Sequence, residues 1–506
     1  YTFRNTLQYT GEYAGKHYIS LFAGQEIQER TAYNSFNYSP VFDEEHRIVG
    51  FPEMDGIDGS EINYNALGGT GKSVSKMSSF FANASYSYLD KYILTGALRY
   101  DGSDIIGNDN QFTPLWNVGL RLNLHREEFM KRWMWVDQFA VRGGFGYTGS
   151  IDKNALPFVV MTLGQSVVYD GQTVPTSFSY PNPNVKWQTK QDMNVGLDLS
   201  LFDYRLELGV NYYHNITRDV LDRKALPYSS GRNEVTENVA DIYNSGWEID
   251  LGVTLLKNKS FQWYAKANIA INDNKVKNTY YKETKDLPKA TLSNAHQFVE
   301  NQPVNGWYGY KFAGINPING AVMTYTGNGE ATLDMSVSGA TWPTPSVFYL
   351  GNLTPPVVGG FSTSANWKQL IFSANFEFKT GHKIKSFNTF RSLDARNRHT
   401  SEANRWREPG DITNVPAMSE AFTTYSSYMY DILLEKGNYL RCSYMTLGYN
   451  LKPEWLHKIG FSTARLSFTA KNLFTISSYS GIDPALMGSF GYPNSRKYTI
   501  TLNVGF

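Results

Sequence analysis

An all-β fold, specifically a transmembrane antiparallel β-barrel, is what this sequence predicts, and three observations carry it. Large apolar residues alternate with small or polar ones along fifteen segments of the 506-residue chain. A period of two marks strands with one apolar face. The links between segments alternate short and long, as in barrels with tight turns at one membrane face and long loops at the other. Aromatic residues make up 15% of the chain, including 35 Tyr and 11 Trp, whose amphipathic rings suit a membrane–water boundary. No run approaches the ~18 apolar residues of a membrane helix. A mean hydropathy of -0.40 agrees with strands on which only alternate residues face lipid.

The segments lie near 1–11, 16–28, 74–88, 91–103, 113–124, 137–148, 190–201, 205–216, 241–256, 261–275, 358–368, 370–380, 438–451, 462–473 and 495–506. Val195, Leu197, Leu199 and Leu201 share one face, and Leu206, Leu208, Val210 and Tyr212 repeat the pattern after a tight turn. Trp247, Ile249, Leu251, Val253 and Leu255 follow, then Trp263, Ala265, Ala267, Ile269 and Ile271. In 370–380, Leu370, Phe372, Ala374, Phe376 and Phe378 oppose Ser373, Asn375, Glu377 and Lys379. One segment changes phase: Leu440, Cys442 and Tyr444 share a face, but Met445, Leu447, Tyr449 and Leu451 share the other. A bulge near Tyr444 reconciles them. The last segment sets Tyr498, Ile500, Leu502, Val504 and Phe506 on one face and Thr499, Thr501, Asn503 and Gly505 on the other. By itself it fits either a buried sandwich strand or a barrel strand facing lipid. Its closing Phe resembles the signal by which bacterial outer-membrane barrels are recognised for assembly.

Short links fall at 12–15, 89–90, 125–136, 202–204, 257–260, 369 and 452–461. Long ones fall at 29–73, 104–112, 149–189, 217–240, 276–357, 381–437 and 474–494. Separate soluble sandwiches have no reason to alternate in this way, whereas short periplasmic turns and long extracellular loops do. The first strand then descends from outside to periplasm. Bacterial barrels have even strand numbers with both ends periplasmic, so an odd number of strands is expected upstream. Residues 1–506 read as the C-terminal part of a larger barrel, with Phe506 its true end.

Composition closes off other classes. The 47 basic and 46 acidic residues leave no basic patch of the kind nucleic acid requires. One cysteine, Cys442, excludes a disulfide framework and reads as a small strand thiol. Gly144-Phe-Gly146-Tyr-Thr-Gly149 fits the dinucleotide fingerprint in form, but that motif needs a helix opening at its last glycine. Small inward residues in a crowded lumen explain these glycines better. Two acidic stretches, Asp55, Asp58 and Glu61, and Asp101, Asp104 and Asp109, lack the ligand spacing of a calcium loop and read as solvated turns. The histidines show no paired-ligand spacing, and no GxSxG elbow occurs. No cofactor, no metal and no catalytic residue is expected.

Function is expected in the long loops. Residues 276–357 and 381–437 carry Trp307, Tyr308, Tyr310, Trp342, Tyr349, Arg391, Arg396, Arg398, Arg405, Trp406, Arg407 and Asp411. Aromatic faces beside Arg and Asp suit stacking on sugars or gripping peptides. The same residues equally suit packing of long loops on one another or on a partner.

Several fragments occur in an order that resembles one family. Tyr88-Leu-Asp-Lys-Tyr-Ile-Leu-Thr95 precedes Arg99-Tyr-Asp-Gly-Ser103, Glu128-Phe-Met130, the glycine-rich 144–149 and Asn182-Pro-Asn-Val-Lys-Trp187. Tyr212-Tyr213, Thr217-Arg-Asp219, Leu226-Pro227 and Asn244-Ser-Gly-Trp-Glu248 follow. Then come Gly437-Asn-Tyr-Leu-Arg441, Asn472-Leu-Phe-Thr475, Gly481-Ile-Asp-Pro484 and the closing Phe506. Together they resemble the SusC/RagA-like TonB-dependent transporters of Bacteroidota outer membranes over nearly the whole chain. Ile105-Ile106 and Gly246-Trp247 depart from the family pattern in loop detail only.

The resemblance implies a 22-stranded barrel with an N-terminal plug. Seven strands, the plug, the TonB-contacting segment and a signal peptide would then lie upstream of Tyr1. It also implies energised import of oligosaccharides or peptides across the outer membrane, with a SusD/RagB-like surface lipoprotein as lid. A dimer of such transporter–lipoprotein pairs is compatible with it. A passive porin and a barrel-anchored adhesin or enzyme are the competing readings. Outer-membrane lipid is the expected surrounding, and no nucleic acid is expected as a partner.

Overall fold

The computed structural model describes residues 1–37, 41–42, 48–50, 68–104, 111–150, 161–169, 172–178, 186–225, 229, 234–284, 287, 298–333, 346–386, 403–417, 429–456, 460–487 and 492–506. Within them, fifteen strands form one sheet in which each strand lies beside its sequence neighbours. They are β1 Thr2–Tyr13, β2 His17–Asn37, β3 Gly68–Tyr88, β4 Tyr92–Ser103 and β5 Phe112–Asn123. Then follow β6 Val136–Ser150, β7 Gln188–Leu201, β8 Leu206–Ala225, β9 Glu234–Lys257 and β10 Phe261–Lys277. The last five are β11 Val357–Trp367, β12 Leu370–Thr380, β13 Tyr439–Asn450, β14 Thr463–Ser477 and β15 Lys497–Gly505. Each segment read from the alternation is one of these strands, and β1 and β15 are the two edges.

Several strands outlast their apolar pattern. β2 and β3 pair without interruption from His17↔Tyr88 to Asn37↔Gly68. Residues 29–37 and 68–73 are therefore strand where a loop was expected. β8 and β9 likewise take in 217–225 and 234–240, which leaves a connection of only 226–233. The cause is that apolar side chains are needed only where lipid is met, while backbone hydrogen bonds continue into the polar region beyond. Glu29, Arg30 and Thr31 stand in such an extension, and so do Arg218 and Asp219.

The phase change in β13 is a bulge. Phe376 pairs with Cys442 and Asn375 with Tyr444, so Ser443 is the extra residue. β14 answers with an irregularity of its own, pairing Phe474 with Cys442 and Lys471 with Tyr444 while Asn472 takes φ 51°. Bulges of this kind re-aim the side chains beyond them.

The two faces of the sheet differ in chemistry. On β4, Tyr92, Leu94, Leu98 and Tyr100 are exposed on one face, and on β5 Phe112, Trp116, Val118 and Leu120 continue it. Water-soluble monomers rarely expose apolar patches beyond a few hundred Å², so a face this broad calls for lipid. The opposite face is charged and polar. Arg121 lies 2.9 Å and Arg142 3.6 Å from the carboxylate of Asp198. Further along, Glu248, Asp250, Lys266, Asn268 and Glu377 border an open cavity of about 610 Å³.

The short-link end is built from tight turns and aromatic rings. Ala14 and Gly15, at φ 53° and 61°, close the β1–β2 hairpin with Lys16 N bonded to Tyr13 O at 3.1 Å. Positive φ at both central residues matches strand twist. Leu89 and Asp90 do the same at φ 54° and 51° without a glycine. Trp133 stacks on Trp135 at 6.2 Å and Trp135 on Phe202 at 5.8 Å. With exposed Tyr13, Tyr204, Trp367 and Trp455 they form an aromatic belt along this end.

Candidate functional site

The opposite end carries the long connections, and two of them fold together. In the β10–β11 connection, Gly306–Gly309 pairs with Phe348–Asn352, and Phe312–Ile315, Val322–Tyr325 and Ala331–Leu333 form a three-stranded sheet. The β12–β13 connection contributes Tyr430 to one buried cluster of the β10–β11 connection and Met429 to a second, beside Trp307 and Leu350. Tyr310 N bonds to Met429 O at 2.8 Å and Asp431 N to Tyr310 O at 3.0 Å. Phe312 N donates to the Asp431 carboxylate at 2.9 Å. Tyr308, Tyr310, Ile315, Val322, Val347 and Tyr430 are the buried centre.

The candidate contact residues divide between this core and its surface. Trp307 is buried, and its indole Nε1 donates to Lys383 O at 2.9 Å across the two connections. Tyr308 is fully buried, and its hydroxyl has no hydrogen-bond partner among the described residues. Burial, and secondarily the neighbouring Tyr349, pushes its phenol well above the usual range. Tyr349 is half-buried; burial raises it as well, and its hydroxyl donates to Asn352. Trp406 packs against Gly320, where a Cβ would come within 2.5 Å of its ring, and its Nε1 donates to Pro317 O at 3.1 Å.

Arg405 is half-buried and bridges Val415. Asp411 turns inward to its own loop, accepting from Arg407 N at 2.9 Å and Glu408 N at 3.2 Å. Arg407 is exposed, with its guanidinium on Ala403 O at 2.9 Å. Trp342, Arg391, Arg396 and Arg398 lie outside the described residues. Trp307 and Tyr308 are thus buried and Trp406 is packed on Gly320, whereas Arg407 is turned to solvent. Of the acidic stretches, Asp101 is buried against Arg99 at 2.6 Å and Asp104 accepts from Lys76 N at 3.0 Å. Asp55, Asp58, Glu61 and Asp109 lie outside the described residues.

On β15, Tyr498, Ile500, Leu502 and Val504 are all exposed on the apolar face, and Phe506, just past its end, is exposed as well. Ile500 pairs with Phe468 and Leu502 with Leu466 of β14. Phe506 meets Phe461 edge-on at 5.0 Å.

Two further features were not legible from residue spacing. Arg441 on β13 and Asp483 in the β14–β15 connection form a buried ion pair. Arg441 Nε also donates to Thr475 Oγ1 at 3.1 Å, and Asp483 accepts from Ala485 N at 2.9 Å and Asn494 N at 3.4 Å. Both residues stand in ordered motifs, 437–441 and 481–484, but nothing in their spacing says that they meet. The second is His382, buried beside Gly437, where a Cβ would lie 2.4 Å from the imidazole. Desolvation, with the charge of Lys379 second, lowers its pKa from the usual 6.5.

Residues 1–377 match the family model described as TonB dependent receptor-like, beta-barrel. TonB-dependent receptor P3 of Formosa agariphila is 27% identical over 99% of this chain and 52% of its own length. SusC of Bacteroides thetaiotaomicron is 23% identical over 85% of this chain and 43% of its own. Among solved structures, the RagAB peptide transporter superposes on 100% of this chain and 55% of its own, at TM-score 0.77 and 24% identity. The RagAB peptide importer in its open-open state gives TM-score 0.79 at 24% identity, over 100% of this chain and 54% of its own. The chain spans about half the length of the curated relatives it matches.

Proposed function

The chain belongs to the TonB-dependent receptor-like β-barrel family, a family of outer-membrane transport proteins, and we propose that it forms wall and outer loops of an energised SusC/RagA-type importer. The observation that carries this reading is the division of one fifteen-stranded sheet into an apolar face and a charged one. Lipid covers the first, and the second borders the path of a polar solute. The folded connections at the long-link end supply a preformed platform for a surface lipoprotein of the SusD/RagB kind. TonB would act through a segment outside this chain. RagAB is a peptide importer, and oligosaccharides or peptides are the cargo classes that fit such an importer. Residues 1–506 are read as the C-terminal part of the barrel, with 276–357 and 381–437 extracellular.

Uptake by cells carrying the full-length protein tests this. Uptake of the cargo should stop when an uncoupler collapses the proton gradient or when TonB is absent. Uptake that continues unchanged in both cases would make the protein a passive porin and overturn the proposal.

A further inference from the structure

The polar face carries a row of paired residues whose last three members, Asn215, Asn244 and Asn274, are amides, and it ends in a cavity. Followed from strand to strand, Gly146 pairs with Asp192, Asp192 with Asn215, Asn215 with Asn244 and Asn244 with Asn274. Asn274 Nδ2 donates to Asn244 Oδ1 at 2.6 Å. There the row leaves the sheet, because Asn274 Oδ1 accepts from Val304 N of the overlying connection at 2.7 Å. A cavity of about 350 Å³ opens at this junction. The sheet lines it with Asn244, Asn272 and Asn274, and the connection with Asn305, Asn352, Thr354 and three prolines.

The lining selects by charge and by hydrogen bonding. Asp273 borders the cavity, but its carboxylate is held by Lys275 at 2.7 Å. Strand alternation turns both away from the face that carries Asn272 and Asn274. A charged group entering here would lose hydration without gaining a counter-charge. Each asparagine amide can donate two bonds and accept two. Asn305 Nδ2 donates to Thr354 Oγ1 at 3.0 Å, and Asn272 Oδ1 accepts from Tyr213 Oη at 2.8 Å. Those bonds, with that of Asn274, use one of its two donors and none of those on Asn244 or Asn272. Neutral donors and acceptors packed side by side complement adjacent hydroxyls, and the aliphatic proline rings beside them offer apolar contact to the C–H face of a sugar ring. A peptide offers one donor and one acceptor per residue and brings ionised ends. The volume lies at the small end of the range of ligand pockets, about 300–1,000 Å³.

We propose that this cavity binds a terminal sugar residue of an uncharged oligosaccharide at the outer rim of the barrel. The proposal rests on the reading of the chain as an importer and names the cargo class for this site. Full-length protein in detergent is titrated calorimetrically with maltoheptaose and cellohexaose, with an acidic oligogalacturonate, and with an oligo-alanine blocked at both ends. Thr354→Trp fills the cavity from an exposed loop position, and Asn274→Ala removes its central amide. The gel shift on boiling reports whether each variant has assembled. A neutral glucan should bind, and each assembled variant should weaken it at least tenfold. The proposal is overturned if neither glucan binds, if both variants bind it as the parent does, or if the blocked peptide is the ligand that the variants weaken. Energised uptake is measured separately. Glucan binding lost in the variants while uptake ignores the proton gradient would sink the import reading and leave the site standing.

Discussion

Burying Arg441 with Asp483 makes each the other's nearest counter-charge, with Glu377 farther from the guanidinium at 3.9 Å and about half exposed. Removing one member of such a pair strands the other, at about 3–5 kcal/mol. Asp483→Ala should therefore free the β14–β15 connection, which hydrogen exchange would register as loss of protection across 478–487. Protection unchanged from the parent would mean that the pair holds nothing in place. A smaller change with the opposite sign is expected at Leu89. A left-handed non-glycine residue carries about 1–2 kcal/mol of strain, and Asn suits that turn position. Leu89→Asn should raise resistance to denaturant by about 0.5–1 kcal/mol, read as a higher urea midpoint. The position of this turn is plain in the sequence, because alternation stops at Tyr88 and resumes at Tyr92. Its strain is not, because Leu is an unusual choice at positive φ.

Connections 276–357 and 381–437 stand on either side of β11 and β12, yet they share one core, with Tyr430 packed among Tyr308, Tyr310 and Ile315. Truncating a large buried aromatic costs about 3–5 kcal/mol. Tyr430→Ala should loosen both connections together, with new protease cuts in each while the sheet keeps its gel shift on boiling. Cuts confined to 381–437 would mean that the two fold independently. His382 adds a pH dependence at the root of the second connection. Its folded pKa lies below the unfolded 6.5, so the unfolded state binds more protons and stability falls as pH drops through that value. Proteolysis of 381–437 should quicken between pH 7.5 and 5.5, and His382→Gln should remove the difference. The existence of long connections was legible from link lengths. Their joint core was not, because Trp307 meets Lys383 across 76 positions and Tyr310 meets Met429 across more than a hundred without any periodic signal.

For the whole molecule, strand number and neighbour order followed from alternation because each strand is half apolar and joined to the next by a short or a long link. Upper strand ends were missed where apolar residues stop but pairing does not, as in β2 and β3. The closing face of β15 is exposed at every large residue, with Phe506 90% accessible. Phe506→Ala should lower the amount of assembled protein in the outer membrane while uptake per assembled molecule stays unchanged. Parent-like amounts would end its reading as an assembly signal.

Tyr92 and Tyr100 share one face of β4, eight positions apart. That separation is roughly 26 Å along a strand and roughly 20 Å once a typical barrel tilt is allowed for. Between these two rings lie Leu94, Gly96 and Leu98, so the sheet carries a thickness gauge written in tyrosine. A bilayer whose hydrocarbon core matches that gauge would wet the leucines without drowning the phenol hydroxyls. Thicker membranes would have to thin locally around the wall, a mismatch penalty of a fraction of a kcal/mol per Å. The protein should accordingly survive heating longest in short-chain lipids and lose that advantage as the acyl chains lengthen.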